Sequence, residues 1–162
     1  MRRVSFMLLV LAVIGLTTQT ASATSGAHFF FANSSVNDSG ALVVSWDEAG
    51  VGQQQVNYTL SADATATWAC INGGNNHPKA ANKETFADQV TAGGTFNPEN
   101  GRVQGSLTAG PLSAGGFTCP NGQKLVLAKV TYTNIVLTDT TNNETAFPAD
   151  VCRSFLPSLF PC

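Results

Sequence analysis

Charge is scarce in this chain. Only 11% of the residues are charged, with Lys+Arg 8 against Asp+Glu 10. So few basic residues build no extended positive patch, which excludes a nucleic-acid binder of the basic kind. Sparse charge beside 43% hydrophobic residues also excludes a solvated disordered tail. Histidine is scarcer still. His28 and His77 stand alone, without the i, i+4 or His-x-His spacing of a metal site. Beyond residue 16 no apolar run approaches the roughly 20 residues of a membrane span. Gly-x-Ser-x-Gly and His-Glu-x-x-His are absent. Gly93-Gly94 and Gly115-Gly116 lack the Lys and following helix of a phosphate loop. With these motifs missing, the sequence predicts a protein that is not an enzyme, with no cofactor and no metal site. Sustained helical periodicity is missing as well.

What is present begins with a leader. Met1-Arg2-Arg3 is a positive start, residues 6–16 are apolar, and Ala21-Ser22-Ala23 is a small-residue cleavage pattern. These predict a signal peptide over 1–23 and a secreted, extracellular chain over 24–162. That length suits one domain with its own core. Losing Arg2 and Arg3 takes the formal net charge from −2 to about −4.

Cys70, Cys119, Cys152 and Cys162 all fall in the exported part. Four cysteines in an exported chain predict two disulfides, with three possible connectivities. The sequential pairing is the working expectation. It would tie the proline-broken, apolar tail VCRSFLPSLFPC into a loop, with its aromatics against the domain; a Cys162 bond between chains is the alternative. A zinc site is disfavoured, because no close cysteine pair exists.

Strand patterns dominate the remainder. Between Gln55 and Ile71, apolar residues take every even position from Val56 to Cys70 and polar ones take the odd positions up to Thr67. That alternation puts one set on a buried sheet face. The run is long enough to predict a bend near residues 62–64. Along 124–138 the apolar phase changes after Tyr132, from even positions to Ile135 and Leu137, which predicts one extra residue near Thr133-Asn134. Shorter strands fit 27–33, 41–46, 85–91, 102–108 and 144–152. Turn residues separate them, including Asn97-Pro98-Glu99-Asn100-Gly101 read as a hairpin connection. About seven strands in one domain predict an all-β, antiparallel β-sandwich, immunoglobulin-like in architecture with its topology open. An immunoglobulin domain proper carries a Trp between two cysteines of opposed sheets. Here Trp68 precedes Cys70 and no Trp lies between Cys70 and Cys119.

The stretch CINGGNNHPKAANK, Cys70 to Lys83, followed by CPNGQ at Cys119 to Gln123, resembles a group of small exported bacterial proteins of uncharacterised function. They share a Cys-Ile-Asn-Gly-Gly-x-Asn-x-Pro-x-Ala-Ala-Asn-Lys segment and a later Cys-Pro-x-Gly-Gln. The resemblance covers about residues 28–141 and implies a common sandwich with Cys70 joined to Cys119. It carries over no catalytic residue, and Cys152 and Cys162 lie outside it.

The candidate site is the loop inside that stretch. Asn75, Asn76, His77, Lys79, Asn82 and Lys83 supply donors suited to sugar hydroxyls or a carboxylate. A polar loop pinned beside a disulfide is a common way to display a recognition surface. The plainer reading is a connection built of turn-forming residues. Asp47-Glu48 reads as solvated turn chemistry, since neighbours in a strand face opposite sides. Asp38, Asp47 and Asp139 have no calcium-ligand spacing. Asn33, Asn37, Asn57 and Asn143 open Asn-x-Ser/Thr triplets, which matter only if the source glycosylates exported chains. Trp46 is expected in the core; turned outward on a flat sheet it would favour glycan binding. The function this predicts is a noncatalytic binding or cell-surface interaction module. Its partner would be a glycan, a cell-wall polymer or another protein. A structural protein without a small ligand and an enzyme of unrecognised type are the alternatives.

Overall fold

The computed structural model describes residues 26–72 and 82–162. The leader over 1–23 and the loop positions Asn75, Asn76, His77 and Lys79 lie outside the described residues. The described chain is all-β, with eight strands: β1 His28–Val36, β2 Leu42–Ala49, β3 Val56–Asn72, β4 Lys83–Phe96, β5 Arg102–Ala109, β6 Gln123–Asp139, β7 Glu144–Ala146 and β8 Val151–Ser154. They form two antiparallel sheets. One has the order β1-β2-β5; the other has β4-β3-β6-β7, with β8 also on β6. No helix among the described residues is long and apolar enough to cross a membrane.

Side-chain alternation builds the core. Val56, Tyr58, Leu60, Ala62, Ala64 and Ala66 of β3 face inward and are buried. Leu42, Val44 and Trp46 of β2, with Val103, Leu107 and Ala109 of β5, meet them from the other sheet. Trp46 is therefore a core residue, 1% exposed. Its ring centroid lies 4.7 Å from Tyr58 and 5.0 Å from Phe96.

The extra residue read near Thr133-Asn134 is there. Ser61 pairs with Val136 but Asp63 pairs with Thr133. Asn134 takes the spare place with φ 51°, and burial shifts from Tyr132 to Ile135 and Leu137. The irregularity belongs to β6: β3 itself pairs with β4 without a break, so no bulge sits at Ala62–Ala64 on that side. A second shift falls between Thr67 and Trp68, again with the spare residue on β6, at Ala128. The Ala128 carbonyl accepts from Phe155 and Leu156 N–H, which docks the tail.

The strand expected over 144–152 is two strands, because Phe147-Pro148-Ala149-Asp150 leaves the ladder. Pro148 has no N–H to donate. The 97–101 segment is a tight turn, with Glu99 and Arg102 exchanging backbone bonds of 2.8 and 3.1 Å. It hands the chain from β4 in one sheet to β5 in the other, so β4 and β5 make no hairpin.

The sheets differ in reach. β3 and β6 have 17 residues each, against 8 in β2 and in β5. At about 3.3 Å per residue the larger sheet overhangs the smaller by roughly 30 Å. Residues 110–122 and the C-terminal tail cover that overhang. Trp68 Nε1 donates to Leu112 O at 3.1 Å, and Phe155 packs against the core cluster. Both covers are tied covalently, by Cys70–Cys119 and by Cys152–Cys162.

Candidate functional site

The foot of the predicted loop is firmly seated. Cys70 N–H donates to Asn82 O at 2.9 Å, and Asn82 Nδ2 donates to Gln123 Oε1 at 3.2 Å. Lys83 opens β4 opposite Ala69, with its ammonium 5.2 Å from the Phe160 ring. Asn82 and Lys83 thus act as anchors between β3, β6 and the tail. The Cys70–Cys119 bond, one half of the sequential pairing expected, brings the 120–123 turn beside this foot.

A second site, unread in the sequence, occupies the outer face of the three-stranded sheet. It begins with three consecutive phenylalanines. Phe29 pairs with Glu48 but Phe31 pairs with Asp47, so Phe30 is the extra residue of a bulge. Phe29 turns inward, its ring 6.5 Å from Tyr58. Phe30 and Phe31 are left facing solvent, 59% and 45% exposed. Successive strand residues alternate faces, so a Phe-Phe-Phe run must expose at least one ring. That signal was present in the sequence.

Charged groups hold the rest of this face. Asp47 is buried and grips Arg102 through Nε–Oδ1 at 2.6 Å and a second, Nη2–Oδ2 contact. Gln104 Nε2 adds a bond to Oδ2 at 2.8 Å. The Arg102 hydrogen bond, outweighing burial, holds the Asp47 carboxyl below the usual range. The guanidinium then lies over Phe30, with Cζ 5.0 Å from the ring centroid, and His28 meets the same ring edge-on at 4.9 Å. Beside them is a depression of about 600 Å³ lined by Asn97, Glu99, Asn100, Arg102 and Gln104. Amide, carboxylate and guanidinium groups converge there next to an exposed aromatic pair. Such a lining offers donors and acceptors to hydroxyls, and the rings offer a flat apolar surface.

The expectation that Asp47-Glu48 is solvated turn chemistry is overturned. Both sit inside β2 and both are buried. Asp47 is covered by its partners on the outer face, while Glu48 faces the core. Glu48 Oε2 accepts from Tyr58 Oη at 2.7 Å. These partners lie on β3 and β5, far along the chain, so nothing local to residues 47–48 revealed the burial. Asp38, Asp47 and Asp139 do not converge: Asp38 pairs with Arg153, Asp47 with Arg102, and Asp139 caps its own turn. Among the described residues no group of three or more potential metal ligands occurs.

No protein-family model, curated protein or solved structure matches this chain. The resemblance carried by CINGGNNHPKAANK rests on those residues alone.

Proposed function

We propose that this chain is a secreted, noncatalytic binding module of immunoglobulin-like sandwich architecture, and that it holds a glycan chain of cell-wall or matrix type on its three-stranded sheet. The observation that carries the reading is the pairing of the exposed Phe30–Phe31 platform with the polar depression across Arg102. Sugars present hydroxyls around their rims and apolar C–H faces, and this surface offers a counterpart to each. Sequence features support export, and two disulfides are compatible with an oxidising compartment. The 72–83 loop lies at the β3–β4 connection, on the other sheet, and is the competing place for a ligand.

Co-sedimentation of the purified protein with insoluble polysaccharides, chitin, cellulose and peptidoglycan among them, tests the reading. At least one should retain the protein. Phe30→Ala/Phe31→Ala should weaken retention at least about tenfold, equivalent to ~1.4 kcal/mol. Both rings are exposed, so the fold should survive. Retention by none, or equal retention of the double variant, overturns the proposal.

A further inference from the structure

On the inward side of the same β2 segment lies an arrangement that the binding reading does not use. Glu48 is 0% exposed and so is Asp139. Glu48 Oε2 is satisfied by Tyr58, but Oε1 meets no donor. Asp139 pairs with Tyr58 in the β3–β6 ladder, and Tyr58 bonds Glu48, so the Asp139 carboxyl is set beside Glu48 across the two sheets. Asp139 already accepts three bonds: Thr141 N at 2.7 Å, Asn142 N at 3.0 Å and Asn142 Nδ2 at 2.6 Å. Two buried carboxyls therefore face each other with no hydrogen between them unless one carries a proton. Among the described residues, the charged groups acting on Glu48 are acids. β3 contributes Tyr58, β6 Asp139 and β7 Glu144, while the ladder neighbours from β1 and β5 are Phe29 and Val103.

We propose that Glu48 and Asp139 form a proton-sharing latch between the two sheets, in which Glu48 Oε1 carries the proton and donates it to Asp139, and that release of this proton loosens that end of the sandwich. The electrostatics agree with the geometry. Burial pushes the Glu48 carboxyl up to about 7, the Tyr58 bond opposes this, and the Asp139 and Glu144 charges add to the rise. The sign follows. The unfolded chain releases this proton near the ordinary value of 4.5, whereas the folded chain keeps it to about 7. Between those values the native state binds more protons, so stability falls as pH rises through the window and levels off above it. Most acids in folded proteins act in the opposite sense, since pairing lowers their values.

The latch is independent of what the outer face binds, so its test is separate from the glycan measurement. Thermal midpoints of the wild-type protein and Glu48→Gln are compared from about pH 4.5 to about pH 8. The wild-type folding equilibrium should weaken on the order of a hundredfold across that range. Glu48→Gln, whose amide can donate to Asp139 without titrating, should lose most of that dependence. Carbon-13 NMR of glutamate-labelled wild-type protein should show one buried carboxyl titrating near neutrality. That arm stands even if the variant does not fold. A Glu48 carboxyl titrating in the ordinary acidic range, or a variant with the full wild-type slope, overturns the latch.

Discussion

Gly105→Ala should destabilise the protein although it replaces a strand glycine with a better strand residue. Gly105 sits opposite Trp46 in the β2–β5 ladder. A Cβ there would lie 2.8 Å from Trp46 Cζ2 and 2.9 and 3.1 Å from Phe96 Cε1 and Cδ1. Trp46 is pinned between Tyr58 and Phe96, whose own centroids are 5.5 Å apart, so it cannot withdraw without disturbing the Tyr58–Glu48 bond. Overpacking of this kind costs about 1–3 kcal/mol. The backbone entropy recovered on replacing Gly offsets about 0.5–1 kcal/mol. A net loss of about 1–2 kcal/mol remains, or roughly 3–6 °C in the thermal midpoint. Gly93→Ala is the control. That position meets nothing closer than Tyr58 O at 3.4 Å and should be neutral or slightly stabilising. Urea unfolding followed by tryptophan fluorescence, disulfides intact, measures both. Equal stability of the two variants would refute the packing argument, and Phe96→Leu should recover part of the Gly105→Ala loss.

The tail and the bulge give two more tests. The Cys70–Cys119 ring spans 49 residues and the Cys152–Cys162 ring 10. Loop-closure entropy then puts the cost of removing them, as paired Ser substitutions, at about 4 and about 3 kcal/mol. Calorimetry that reverses this order would contradict it, as would a disulfide-linked dimer on non-reducing electrophoresis. Asn134→Ala should cost about 1–2 kcal/mol, since only glycine or asparagine adopts its left-handed backbone cheaply. Asn134→Gly should cost less, and equal losses would show that the side-chain bond from Asn134 Nδ2 to Asp63 dominates, since both variants keep the backbone N–H bond to Asp150.

What could be read ahead of the fold depended on how local the cause is. The β3 alternation and the phase change in β6 are properties of consecutive residues, so both were legible. The split at Pro148 was readable in principle, because a proline breaks a ladder wherever it falls. Asp47 and Glu48 were not readable. Their burial follows from Arg102, Tyr58 and Asp139, which only the sheet order brings together. The outer-face site straddles this divide. Three adjacent phenylalanines announced an exposed ring, but the Arg102 depression beside it exists only because β2 separates β1 from β5. The candidate loop stands out by composition alone, and its described residues, Asn82 and Lys83, are tied to the scaffold.

The binding face itself is open to direct measurement. Backbone and aromatic NMR shifts of the isotope-labelled protein, followed while a soluble oligosaccharide of the retained polymer is added, would locate the contact. Saturable shifts concentrated at Phe30, Phe31, Arg102 and Gln104 are expected. Shifts confined to residues 72–83, or spread over the outer face of β3 and β6, would contradict it.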